Sequence, residues 1–347
     1  MPALREFLPS DVEAVAALRP LVFRYSHWTN PTDLAAYIHS VFFENPWCDT
    51  ALPSFVYQSG GKIVGFLGIL PRHFRLGETL LLAGVPTQYM VHPEYRGIGG
   101  TLLVRAALAG PQDLLLADVP NTQSHRMWVS LGGSSIPEYG ISWMRPVRFP
   151  GKVGTTVATG LCGTRFRGPR SLAARVLYYE PRSPDYTIEP LTASAISHAL
   201  RRVTAEPELH PIYTDASFEW LTREAAQKWP NSRIEGGVVR VNGEPIGWFM
   251  YVVGTDASAQ VLQAVATHEC APQLMRALFA HARRAGAVRL AGRLDPRLAQ
   301  AIRNTHATIR QTSPGMLVHS RNRDLLDYLV HGNGILTGLE GEWWMRF

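Results

Sequence analysis

The sequence predicts an α/β fold of the α+β kind, made of two copies of one domain. Each copy reads as a mixed, mostly antiparallel sheet flanked by helices. Three observations carry this. β-rich runs and helical stretches follow one order, β-α-α-β-β-β-α-β-α-β, in both halves of the 347-residue chain. Gly61-Lys62-Ile63-Val64-Gly65-Phe66 in the first half matches Gly243-Glu244-Pro245-Ile246-Gly247-Trp248 in the second, an internal repeat. A basic stretch separates the halves: residues 151–186 hold six Lys/Arg against two Asp/Glu, whereas residues 1–150 hold eleven of each. The expected units are a first domain over 1–148, a basic linker over 149–185 and a second domain over 186–347.

Local signals place the elements. Residues 3–8 alternate and read as a strand. Ser10 is placed to cap a helix running from Asp11, with Glu13 three residues on as its capping-box partner. Asn30-Pro31 opens a second helix, which Asn45-Pro46 ends. SFVYQ and KIVGFLGIL form a hairpin through Ser59-Gly60-Gly61. LLLAGVPTQYMVHP is a strand bent at Pro86. A helix (GGTLLVRAALAG), a buried strand (113–119), a helix (SHRMWVSLGG) and the strand EYGISWMRPV complete the first copy. The second copy has a hairpin turning at Asn242-Gly243, the strand AQVLQAVATHE and the helix APQLMRALFAHARRAG. It continues with VRLAGRLD and GMLVHS as strands and NRDLLDYLVH as a helix. LEGEWWMRF (339–347) is expected as a last strand ending the second sheet near the domain interface.

Composition narrows the class. With 46% hydrophobic and 18% charged residues the chain is globular, not disordered. It holds no run of about 18 uncharged apolar residues, so no membrane span is expected. Its start carries Arg5, Glu6, Asp11 and Glu13 in place of an apolar signal core, which points to a cytoplasmic location. Cys48, Cys162 and Cys270 lie far apart without zinc-ligand spacing, so no metal is expected. The positive excess sits in the connecting segment and not along a folded face, which disfavours nucleic acid as a partner. That segment reads as a solvated linker or as a docking site for an acidic partner.

The most specific feature is Val91-His92-Pro93-Glu94-Tyr95-Arg96-Gly97-Ile98-Gly99-Gly100-Thr101, between a strand and a helix. Such a turn points several backbone N–H groups into one concavity at a helix N-terminus, where the helix dipole favours an anion. No Gly-Lys-Ser/Thr follows, so it is not a Walker loop, and it lacks the full G-x-G-x-x-G of a dinucleotide fold. The pattern V-x-P-x-x-R-G-x-G-G resembles the acyl-CoA motif of the GNAT acyltransferase superfamily. Asn121-x-x-Ser124-x-x-Met127-Trp128-x-x-x-Gly132 resembles a second element of that family, and the likeness spans residues 3–148.

The resemblance implies that the backbone of Arg96, Gly97, Ile98, Gly99, Gly100 and Thr101 holds the pyrophosphate of coenzyme A. It implies a gap between residues 85–91 and 113–119 that takes the pantetheine arm. Backbone groups near Met90 and Val91 would face the thioester as oxyanion donors, and Asn121 would touch the arm. Ser124 and Trp128 share the helix face of Asn121 and would shape the channel. The family often supplies its proton donor from a Tyr where this chain has Trp128, whose indole is not a usable acid. The remaining candidates for proton transfer are Asp118, at a strand's carboxyl end, and Tyr89, His92 and His125. In this fold the first two helices would form an acceptor wall: Trp28 and Trp47, in loops with Tyr25-Ser26-His27 nearby, would line an apolar pocket there, while Phe42 and Phe43 read as a core stripe or as part of that wall.

The expected activity is acyl-CoA-dependent N-acyl transfer, with acetyl-CoA as donor and a small-molecule amine attacking directly. The alternatives are a longer acyl-CoA, an acyl carrier protein, or a non-catalytic acyl-CoA sensor. A monomer or homodimer is expected. The second copy has Glu269 and Pro272 at the junction that matches the glycine loop, so it is expected not to bind coenzyme A.

Overall fold

Turn chemistry puts the hairpins where the sequence places them. β2 (Phe55–Ser59) returns as β3 (Lys62–Leu76) through Gly60 and Gly61, both at positive φ. β10 (Arg233–Val241) returns as β11 (Glu244–Val253) through Asn242 and Gly243, also at positive φ. The chain is seen here in a computed structural model that describes residues 3–23, 28, 30–48, 51–118, 120–148, 185–204, 208–228 and 231–347. The basic linker, apart from Asp185, and the run Tyr25-Ser26-His27 lie outside these residues. No helix among the described residues is long and apolar enough to cross a membrane.

Two sheets form, and their strand orders correspond place by place. The first runs β1 (Ala3–Glu6), β2, β3, β4 (Thr79–Val91), β5 (Leu114–Ala117), β15 (Met316–His319), β6 (Ser134–Ile136), with β9 (Leu209–Pro211) added on β3. The second runs β8 (Thr187–Glu189), β10, β11, β12 (Ser258–Ala266), β13 (Arg289–Arg293), β7 (Ile141–Pro146), β14 (Thr308–Gln311). In each sheet the fourth and fifth strands are parallel and the other neighbours along the path are antiparallel. β6, β9 and β14 are strands that the sequence reading does not identify.

The sixth strand of each sheet comes from the other half. EYGISWMRPV does not close the first sheet. Its residues 141–146 pair with β13 and β14 in the second. GMLVHS crosses in the opposite direction and lies between β5 and β6. Strand periodicity fixes which side chains point inward, not which sheet receives the strand. The sheets therefore disregard the expected boundary at 148 and 186.

The last residues also depart from expectation. Residues 338–344 form turns and not a strand. They do lie at the junction, because Trp344 is buried against Trp220 while Phe347 stacks near Tyr37 and Phe42. One core runs through both halves, from Val15, Leu34 and Phe66 to Trp248, Leu262 and Trp344. At the N-terminus Ser10 is not the cap. Asp11 accepts from the Leu8 N–H at 2.9 Å and pairs with Arg5, and α1 (Val12–Val22) follows. Asn30 caps α2 (Pro31–Phe43) by accepting from the Thr32 N–H.

Candidate active site

β4 carries the site because it is bulged and then abandoned by its neighbour. Opposite β3, Phe66 faces Met90 and Gly68 faces Thr87, so Gln88 and Tyr89 together oppose Leu67. Gln88 takes up the extra residue at φ 49° and its side-chain oxygen accepts from Arg19. On the other edge the parallel ladder to β5 consists of Ala83–Leu114 and Gly84–Leu115. Beyond it β5 turns to β15, and residues 85–91 have no strand partner on that edge among the described residues. The His92 N–H bonds Val64 on the β3 side at 2.8 Å. Successive residues of a strand turn their N–H groups to opposite edges, so the Val91 N–H faces the open edge. Met90 and Val91 are both buried.

The glycine loop follows as a short 3-10 turn, Pro93–Tyr95, and then α3 (Ile98–Leu108) with Gly97 as its N-cap. Arg96, Gly97 and Ile98 are exposed, Ile98 at 74%. Gly99 and Gly100 are buried for packing reasons: a Cβ on Gly99 would meet the Tyr57 ring at 2.7 Å, and one on Gly100 would strike the Tyr89 hydroxyl. A Cβ on Gly97 would meet nothing within 4 Å. Thr101 closes the first turn by donating from Oγ1 to the Gly97 carbonyl at 3.0 Å. The α3 N-terminus therefore presents an open rim at 96–98 on a closely packed base at 99 and 100.

The proton-transfer candidates are dispersed. Tyr89 is half-buried beside this base, and its hydroxyl donates to the Met127 sulfur at 3.5 Å. Burial pushes its phenol up to about 12 against the pull of Arg96, so it holds its proton at neutral pH. Asp118 is 1% exposed, ion-paired with Arg293, and covered by Gly341, where any Cβ would strike its carboxylate. That setting corrects its reading as a base: the carboxylate is spent on a buried pair and has no room for an amine. Burial lowers the Arg293 guanidinium to about 10, so it remains charged near neutrality. His92 sits at the end of β4 with its ring against Tyr95 and its buried Nδ1 without a hydrogen bond. His125 bonds Ser135 at 2.8 Å, which turns it to β6, two strands beyond β5.

The remaining assignments divide similarly. Asn121 caps α4 (Thr122–Ser130), its Oδ1 accepting from the Ser124 N–H at 2.9 Å. Trp128 is 4% exposed in a cluster with Leu103, Leu115 and Leu317; this corrects its reading as a channel wall, since the indole is core. Trp47 is likewise buried, under the Arg72 guanidinium and against Trp220. Phe42 and Phe43 pack on Phe7. Trp28 stacks on Tyr37, and its indole donates to the Arg346 carbonyl. One face of β4 is thus covered by α1, α2 and the C-terminal residues, a segment that no single-half reading could bring there.

The acetyltransferase (GNAT) family model matches residues 18–132, the stretch that holds β4, the glycine loop and α4. Residues 18–132 are thus similar to the GNAT acetyltransferase family. Solved structures extend the GNAT likeness to the whole chain at the level of fold. A GCN5-related N-acetyltransferase from Anabaena variabilis superposes with a TM-score of 0.59 at 14% identity, covering 93% of this chain and 74% of that one. One from Kribbella flavida gives 0.53 at 15% identity, covering 92% and 72%. A conserved protein of unknown function from Enterococcus faecalis gives 0.59 at 10% identity, covering 92% and 72%. No curated protein matches the chain.

Proposed function

We propose that this GNAT chain transfers an acyl group, acetyl by default, from coenzyme A to a primary amine by direct attack. The observation that carries the reading is the open edge of β4 leading into the exposed N-terminus of α3. An extended pantetheine arm can bond that edge as a strand would. The free N–H groups after Gly97 can hold the pyrophosphate without a side-chain cation. The Val91 N–H lies where a carbonyl oxygen could receive it as charge develops, an oxyanion role.

Trp128 stands where the resemblance would place a Tyr on α4, and Tyr89 offers a phenol from β4. A phenol held near 12 is a proton donor, not a base, so it suits protonation of the departing thiolate. Acetyl-CoA and coenzyme A should each raise the melting temperature. A ligand at 100 times its Kd stabilises by about 2.7 kcal/mol. Thiol release in the presence of a panel of primary amines tests the transfer itself. A chain that shows no thermal shift with coenzyme A overturns the reading.

A further inference from the structure

A carboxylate from the C-terminal segment reaches β4 just beyond the point where β5 departs. Glu342 is half-buried, and its Oε2 accepts from the Thr87 hydroxyl at 2.5 Å. Thr87 is three residues past the last β4–β5 ladder pair and immediately before the bulge at Gln88. Its hydroxyl also contacts Met345, which belongs with Val85 and Met90 to the core under α1 and α2. Tyr89 and Val91 belong to the cluster on the α3 side. Glu342 and Tyr89 therefore approach one stretch of β4 from opposite faces.

Other buried carboxylates nearby are committed. Asp118 is held by Arg293. Glu340 receives Thr337 on Oε2 and both Tyr213 and Gln263 on Oε1. Glu224 pairs with Arg223 and Arg346. Glu342 has Lys228 as its charged neighbour, and that ammonium donates to the Trp343 carbonyl. Burial pushes the Glu342 carboxyl up, while the Thr87 hydrogen bond and Lys228 pull it down.

We propose that Glu342 is the general base that deprotonates the acceptor amine; the assignment rests on the acyl-CoA reading above. The ammonium form of the acceptor gives one proton to the carboxylate. The freed lone pair forms the C–N bond at the thioester carbonyl. The C–S bond breaks and sulfur leaves with its electron pair. The Tyr89 phenol gives its proton to the thiolate and is restored by the second N–H proton, and Glu342 returns its proton to solvent. The products are an amide, the thiol of coenzyme A and one proton.

Glu342→Gln keeps an acceptor for the Thr87 hydroxyl and removes the base. Thiol release from acetyl-CoA is read with primary alkylamines and with trifluoroethylamine, whose electron-poor nitrogen is largely neutral at neutral pH. With the alkylamines kcat should fall about 10²- to 10³-fold. The KM for acetyl-CoA and the thermal shift with coenzyme A should stay within about twofold. For trifluoroethylamine the fall should shrink below about tenfold, because no proton need be taken before attack. An unchanged kcat, or an equal fall for both amines, overturns the base while a retained coenzyme A shift leaves the acyl-CoA reading standing. No coenzyme A shift in the wild type, or no thiol release with any amine, overturns both. Should the Gln variant unfold, Glu342→Asp should fold and show an intermediate kcat with the same dependence on the amine; wild-type kcat in that variant overturns the assignment.

Discussion

Two gaps of the same construction open in this molecule, and they end differently. In the first sheet the ladder between β4 and β5 stops at Gly84–Leu115, and β4 runs on to Arg96-Gly97-Ile98-Gly99-Gly100 at the start of α3. In the second the ladder between β12 and β13 stops at Gln260–Ala291, and β12 runs on to Thr267-His268-Glu269-Cys270-Ala271-Pro272 at the start of the helix Ala271–Arg284. Pro272 removes an N–H from that helix's first turn and Glu269 sets a carboxylate before it, so an anion meets fewer donors and a like charge. The second gap is also occupied: Trp143, Arg293, Thr337 and Trp343 close on Val261 and Gln263 around a small cavity. A splayed parallel pair makes a slot, and the strand-to-helix turn decides whether the slot can hold a pyrophosphate.

The comparison can be broken most severely by separating the halves. A fragment of residues 1–148 lacks β15, which lies between β5 and β6, and the C-terminal wall of the first gap. It should show no cooperative unfolding by circular dichroism. A stable fragment would mean that the first gap forms without the second half.

The next effect concerns the tie between the gaps. Asp118 follows β5 and Arg293 ends β13, so their ion pair joins the strand ends that bound the two slots. Asp118→Asn leaves a buried guanidinium without its counter-charge and should cost about 3–5 kcal/mol in urea unfolding. Asp118→Leu combined with Arg293→Met should cost less than either single change. A stable Asp118→Asn variant that had lost turnover would instead restore Asp118 as the base.

A smaller effect separates ligand from fold. Gly97→Leu enters open space and should leave the melting temperature of the free protein within a few degrees. It should remove most of the roughly 2.7 kcal/mol that coenzyme A supplies at 100 times its Kd. Glu269→Gln in the second loop should change neither. Gly99 is unsuited to this test, because any side chain there displaces Tyr57.

A pH dependence is expected beside the first gap. Burial pushes the Lys228 ammonium down to about 8, against about 10.4 for an unfolded lysine. Between those values the unfolded chain binds more protons than the folded one, so this group makes stability rise with pH. Lys228→Met should flatten that rise in urea midpoints taken across the window.

Much of the fold is legible from local chemistry. Gly60-Gly61 and Asn242-Gly243 announce their hairpins, Asn30 announces α2, and the glycine loop announces a strand-to-helix junction. Partner choice is not legible. Residues 141–146 and 316–319 read as strands in either sheet, and nothing in their periodicity says that they exchange. The glycine loop is visible because its spacing is contiguous. Glu342 is not, because it lies 255 residues from the Thr87 it meets. Asp118 illustrates the reverse error. A carboxylate at a strand end suits a base by position, but its neutralising partner, Arg293, lies in the other half of the chain.

The sequence by itself determined the alternation of strands and helices and a donor-rich turn at 96–101 that the junction at 267–272 lacks, since each depends on residues adjacent in the chain. Only the tertiary structure decided which half completes each sheet, which carboxylates are neutralised and which one reaches the bulged strand. Those outcomes depend on burial and on charges brought together across long separations, and neither is written in any local run of residues.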